Sequence, residues 1–148
     1  VSSDTGESKC KGNKLRTYAL FKQNFTLEKY LQYGSRNQRK TLCKFRISNH
    51  KLEIEQGRYK NISVDKRICK LCNDGIEDEI HFLLNCSVLD TTRKTTLSEI
   101  YKLYPKTKDL NDKDKFIWLM STEDSEMFHL LQQLLSSLSE ERINKLKP

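Results

Sequence analysis

CKLCNDGIEDEIHFLLNC, residues 69–86, holds three of the chain's five cysteines and one of its three histidines. Cys69, Cys72, His81 and Cys86 follow the spacing Cys-x2-Cys-x8-His-x4-Cys. Two residues between cysteines let one tight turn aim both sulfurs at a single ion. Four residues between His81 and Cys86 bring imidazole and thiolate to nearly the same side of a helix end, as in the second half of zinc fingers. Asn73-Asp74-Gly75 is turn chemistry that brings the chain back. These four residues are therefore read as ligands of one structural Zn2+, closed rather than catalytic because all four positions are filled by protein. Three thiolates, one neutral imidazole and the ion leave one negative charge, which the adjacent Arg67 and Lys70 can offset.

Three other readings compete for the same residues. A thioredoxin-like pair needs a helix N-terminus directly after the first cysteine, inside a βαβ unit. Here the pair precedes a turn, and no βαβ pattern is present. A cysteine–histidine nucleophile needs an orienting partner and an oxyanion site, and His81 and Cys86 on one short helix supply neither. Plain buried cysteines are the simplest alternative, since free Cys often behaves as a small hydrophobe. Of the rest, Cys10 falls in a polar lead and Cys43 sits mid-helix as a core residue. His50 and His129 read as structural or surface histidines, although His50 follows the basic helix closely enough to support a phosphate contact. Trp118 lies among Phe116, Ile117 and Leu119 and reads as core. The Glu77-Asp78-Glu79 run reads as compensation of a helix dipole.

Outward from the cluster, composition sets the bounds. The chain has 148 residues, 36% hydrophobic and 32% charged, against roughly 45–50% apolar and about 25% charged in ordinary domains. One thin core is within reach, and a metal cross-link would reinforce it. No window approaches the roughly 18 apolar residues of a membrane span. An odd, clustered cysteine count is unlike a secreted disulfide framework, and the polar start lacks a signal-peptide apolar stretch. The expectation is a nuclear or cytoplasmic location, and a start on Val1 fits a piece of a longer product. The formal charge of +7 is unevenly spread: residues 9–70 carry 17 Lys/Arg against 4 Asp/Glu, whereas residues 71–148 carry 10 against 14. So basic a half points to a polyanionic partner.

Periodicity predicts a mostly α chain: a small helical domain with a zinc-stapled β-turn or hairpin–helix knuckle. Residues 1–12 read as a disordered lead, 13–68 as a basic helical segment, 69–104 as the knuckle with its following helix, and 105–148 as amphipathic helices. Residues 13–148 are expected to form one compact unit. A helix starts at Asn13 and a second spans 26–33. Ser35 with Gln38 fits a capping box before a third, basic helix carrying Leu42 and Phe45. Residues 49–61 fit a short strand or a helical turn equally well, and 62–70 read as extended. Helices follow over 76–85, 87–104, 111–120 and 123–146. The last carries Met127, Leu130, Leu131, Leu134, Leu135 and Leu138 as one apolar stripe.

The stretch RKTLCKFRISNHKLEIEQGRYKN, followed by RICKLC and EDEIHFLLNC, resembles the cysteine-rich C-terminal region of non-LTR (LINE-type) retrotransposon reverse transcriptases. The likeness runs over residues 36–95. It is carried by Ser48, His50, Gly57 and Arg58, by the cysteine–histidine quartet, and by Glu77, Asp78 and Phe82 around the histidine. The resemblance implies a zinc-stabilised module that contacts target DNA or template RNA beside a polymerase. The chain has no Tyr-x-Asp-Asp polymerase motif and no endonuclease motif, so no catalytic residue is assigned and the chain is expected not to be an enzyme. Phosphate contacts are expected from Arg36, Arg39, Lys40, Lys44, Arg46, His50, Lys51, Arg58, Lys60, Lys66 and Arg67, with Tyr59 able to stack on a base. The alternative is a zinc-stapled protein-interaction module, docking its parent polymerase domain or a partner helix through the C-terminal leucine face.

Overall fold

A computed structural model describes residues 17–22 and 28–148. The expected lead over 1–12, the start of the first helix and residues 26 and 27 of the second lie outside the described residues. The architecture is small and mostly α, with no sheet among the described residues. Among the described residues the six α-helices are α1 (Tyr18–Phe21), α2 (Arg36–Arg46), α3 (Glu53–Tyr59), α4 (Asp90–Leu103), α5 (Asp112–Ser121) and α6 (Ser125–Leu146). Short 3-10 turns at Lys29–Gln32, Val64–Lys66, Ser87–Leu89 and Pro105–Asp109 connect them, and a π-helical turn covers His81–Asn85.

Three of the helices start where the sequence offers a side-chain cap. The Ser35 hydroxyl accepts from Gln38 N–H at 3.2 Å while the Gln38 side chain accepts from Ser35 N–H at 2.8 Å, a complete capping box. Asn111 accepts from Asp114 N–H at 2.8 Å to open α5, and Asp124 accepts from Glu126 N–H to open α6. The ambiguous 49–61 stretch is helical. It holds Gly57 because the Arg67 side chain lies across that backbone: a Cβ there would sit 2.4 Å from Arg67 Cγ. The extended expectation for 62–70 survives only as one antiparallel bridge, Ile68 to Ile76, after a 3-10 turn.

α6 packs along α4 and α2, and α1 leans on α5. Their apolar faces meet in one cluster that takes Leu42 and Phe45 from α2, Ile100 from α4, Phe116 and Leu119 from α5, and Leu131, Leu134, Leu135 and Leu138 from α6. Cys69, Phe82, Leu83 and Cys86 belong to the same cluster, so the knuckle is part of the core. The leucine stripe of α6 is spent inside the chain. No helix among the described residues is long and apolar enough to cross a membrane.

Candidate metal centre

The segment bearing the first two cysteines is shaped by backbone hydrogen bonds. Cys69 N–H donates to Gly75 C=O at 3.0 Å, Glu77 N–H to Arg67 C=O at 3.0 Å, and Asn73 N–H to Cys69 C=O at 2.9 Å. The turn between them uses Asn73 at φ 55° and Gly75 at φ 89°, left-handed values that Asn tolerates and Gly adopts freely. Asp78 then opens the next helix, its carboxylate accepting from His81 N–H at 2.8 Å. The spacing of His81 and Cys86 is realised through the π turn. In a regular α-helix, residues five apart lie about 140° apart around the axis. Here Cys86 N–H closes onto His81 C=O at 2.8 Å, a wider i→i+5 ring that swings both side chains toward the same point.

The result is a compact donor set. One ligand atom from each of Cys69, Cys72, His81 and Cys86 lies within 4.8 Å of the others. Cys69 and Cys86 sulfurs are 3.9 Å apart, and Cys72 Sγ is 3.3 Å from His81 Nε2. A tetrahedral ion with metal–sulfur bonds of about 2.3 Å separates two sulfurs by about 3.8 Å. The four groups can hold a metal ion with little rearrangement.

Burial sets their electrostatics. Cys69 and Cys86 are 1% exposed. Desolvation pushes the Cys69 thiol up to about 12, with the nearby Glu77 carboxylate adding to the effect, and it raises Cys86 as well. Burial lowers the His81 imidazole, favouring the neutral form a metal ligand needs. A cation held among these groups would offset the cost of ionising the two buried thiols.

Around the four ligands lies a polar frame that sequence reasoning missed. Glu77 is 1% exposed. Its carboxylate accepts from Arg142 Nε at 2.9 Å and Nη2 at 2.8 Å, from Glu53 N–H at 2.8 Å, and from the Cys69 thiol at 3.6 Å. Its backbone C=O accepts from Ile54 N–H at 3.0 Å, so Glu77 supplies the N-terminal cap that α3 lacks in its own sequence. Arg93, 2% exposed, donates to the carbonyls of Leu83, Cys86 and Phe82 at 2.8, 2.9 and 3.2 Å. It thereby satisfies the open end of the helix that carries His81. Glu79, fully buried, accepts from Ser48 Oγ and from His50 Nε2, each at 2.7 Å. His50 Nδ1 accepts from Leu52 N–H at 3.3 Å, which leaves the ring proton on Nε2. The acidic run is therefore corrected: Asp78 serves the helix start, while Glu77 and Glu79 are internal anchors. The signal for the two arginines was present, because Arg93 continues the Leu89–Leu97–Ile100 stripe and Arg142 the Leu131–Leu135–Leu138 stripe.

The basic candidates divide. Arg36, Lys40, Lys44, Lys51, Lys60 and Lys66 are exposed, and no described carboxylate is paired with Arg36, Lys40, Lys44 or Lys51. Arg39 is half-buried and donates to Gly34 C=O. Arg58 is held by Glu55 at 3.1 Å and lies 4.5 Å from the centre of the exposed Tyr59 ring. Three expected phosphate contacts are corrected. Arg46 is 5% exposed, ion-paired with Glu28 at 3.1 Å and bonded to Met120 C=O. Arg67 is 8% exposed and donates to the carbonyls of Ile62 and Ile54 at 2.9 Å, so it is not a loose counter-charge for the cluster. His50 is committed to Glu79. Lys70, the other proposed counter-charge, pairs with Glu53 at 3.2 Å. Of the remaining singled-out residues, Cys43 and Trp118 are half-buried, Trp118 edge-on to Tyr104 at 5.2 Å, while His129 is exposed. Cys10 lies outside the described residues.

Fold and centre together define a class: a small helical domain built around a three-cysteine, one-histidine candidate metal centre. No protein-family model matches the chain, and no match is found among curated proteins or solved structures.

Proposed function

We propose that this chain is a zinc-stabilised nucleic-acid-binding module, the non-catalytic tail of a retrotransposon-type reverse transcriptase. The observation that carries the reading is the tie between centre and cationic surface. Arg36, Lys40 and Lys44 recur every four residues along α2, which places them in one row, and Lys51 follows beyond the helix end. The end of that helix is bound to the knuckle by the bonds of Ser48 and His50 to Glu79. A metal that fixes the knuckle thus fixes where the row points. Zinc suits the donor set, since three soft thiolates and an imidazole in tetrahedral reach match its preferences and leave no open position for substrate. Ser48, His50 and Gly57, which carry much of the retrotransposon resemblance, serve this scaffold and leave phosphate contact to their exposed basic neighbours.

The leucine face named for protein docking offers little surface, since Leu131, Leu134, Leu135 and Leu138 are at most 1% exposed and Leu130 is half-buried. The test is elemental analysis of the purified chain combined with a salt series of oligonucleotide binding. One zinc per chain is expected. With about four phosphate contacts, affinity for a duplex should fall at a log–log slope near −3.6, and near −2.8 for a single strand. Absence of affinity for either at low salt, or affinity indifferent to salt, overturns the reading.

A further inference from the structure

Between the C-terminal half of α2, the 49–52 loop and the end of α6 lies an open groove of about 330 Å3. Its walls include Phe45, His50 and Phe82, whose rings form a continuous bank: Phe45 to His50 centroids are 6.0 Å apart and Phe45 to Phe82 6.1 Å. Ile143, 57% exposed, forms the outer lip. The unpaired charges on the rim are Lys44 and Lys51, and no carboxylate lines the groove. An apolar hollow lined in part by little-exposed aromatic rings, with Lys44 and Lys51 as its unpaired charges, matches a flat, apolar-faced group carrying an adjacent anion.

We infer that this groove takes one unstacked nucleobase of a single strand, with its flanking phosphates held by Lys44 and Lys51. The inference rests on the nucleic-acid reading and deepens it. The row Arg36–Lys40–Lys44 rises about 6 Å per step along α2, comparable to the phosphate spacing of an extended strand, and it ends at the groove mouth. A strand tracking that row brings its next base over the bank of rings, where base–aromatic contact is insensitive to sequence. The volume sits at the small end of ligand sites, enough for a base and sugar. Phe82 follows His81 directly and Phe45 lies in the last turn of the helix tied to Glu79, so an ordered knuckle is what holds the two rings together.

The test uses the zinc-loaded chain and fluorescence anisotropy with three probes: labelled oligothymidylate, a same-length strand of abasic sites, and a duplex. Removing the bases should weaken single-strand binding roughly tenfold. Ile143→Glu, at an exposed position that leaves the core intact, should weaken oligothymidylate binding by a similar factor and erase the difference between the two strands. Duplex binding should change by much less, because paired bases cannot enter. Equal affinity for thymidylate and abasic strands overturns the groove assignment while leaving the nucleic-acid reading in place. No binding of any of the three overturns both. An acidic helical peptide whose binding is lost in Ile143→Glu, beside oligothymidylate binding that is not, assigns the groove to a protein and overturns the inference.

Discussion

Along α6, Leu131, Leu134, Leu135 and Leu138 are at most 1% exposed and lie within the apolar cluster; in the knuckle, Glu77 and Glu79 are buried to the same depth. The helical region is held by area removed from water, about 25 cal/mol per Å2 of apolar surface, and any tightly packed substitute of similar volume would serve. The knuckle is held by directed bonds that leave no room for approximation. Glu77 meets Arg142, Glu79 meets His50 and Ser48, and Arg93 meets three carbonyls. A segment this small and acidic adds few apolar residues to the common core, so polar partners, and on the proposed reading a metal, supply the rest of its order. The two regions should therefore fail differently.

Metal removal is the largest way to separate them. Chelation of the loaded protein should abolish amide-exchange protection over 67–89, while α4–α6 retain part of theirs; structural zinc in small domains contributes on the order of 10 kcal/mol. Protection unchanged across the knuckle after complete metal loss would mean the polar frame suffices alone. Next in size is Arg142→Met. Breaking one partner of a buried ion pair costs about 3–5 kcal/mol, and urea denaturation should show it. The double variant Glu77→Leu/Arg142→Met should recover part of that loss in stability while weakening metal retention, because the carboxylate that accepts from the Cys69 thiol and from Glu53 N–H is gone. Leu134→Ala, fully buried on α6, should cost about 2–5 kcal/mol with metal affinity nearly unchanged. A large fall in metal affinity there would erase the distinction between the two regions.

The smallest expected effect is a pH dependence confined to the metal-free protein. Cys69 and Cys86 ionise less readily folded than unfolded, so above about pH 8.5, the ordinary thiol value, the folded state binds more protons and stability falls as pH rises. On the acid side, the lowered His81 makes stability fall as pH drops below about 6.5. Thermal midpoints of the metal-free form should decline between pH 8 and 10 while the loaded form, its thiolates already ligated, stays level. Parallel curves would place the raised thiols outside the metal site.

The helices whose apolar residues recur at three and four are legible in the sequence, as is the Ser35 cap, because each depends on neighbours within one or two turns. The metal quartet was legible for a related reason: ligand types and spacing are local even when the site is not. What escaped depends on distant partners. The alternation of Leu52 and Ile54 with Glu53 and Glu55 fits a strand and a helical turn alike, whereas in the structure Glu55 is 1% exposed and α3 is capped by a residue 24 positions away. Arg46 and Arg67 looked identical to Lys40 and Lys44 in a charge count, and only packing separates the structural cations from the free ones. The π turn was hidden because one hydrogen bond, from Cys86 to His81, decides it.

The bond between Arg142 and Glu77 spans 65 residues of chain. During synthesis the cysteine–histidine segment emerges first, with a buried-type carboxylate still unpaired and the N-terminus of α3 held only by a charge in water. The clamp closes after α4, α5 and most of α6 have been added. Until then an early-bound ion would be the segment's main source of order, which makes metal supply at the ribosome, rather than final stability, the step on which its folding yield should depend.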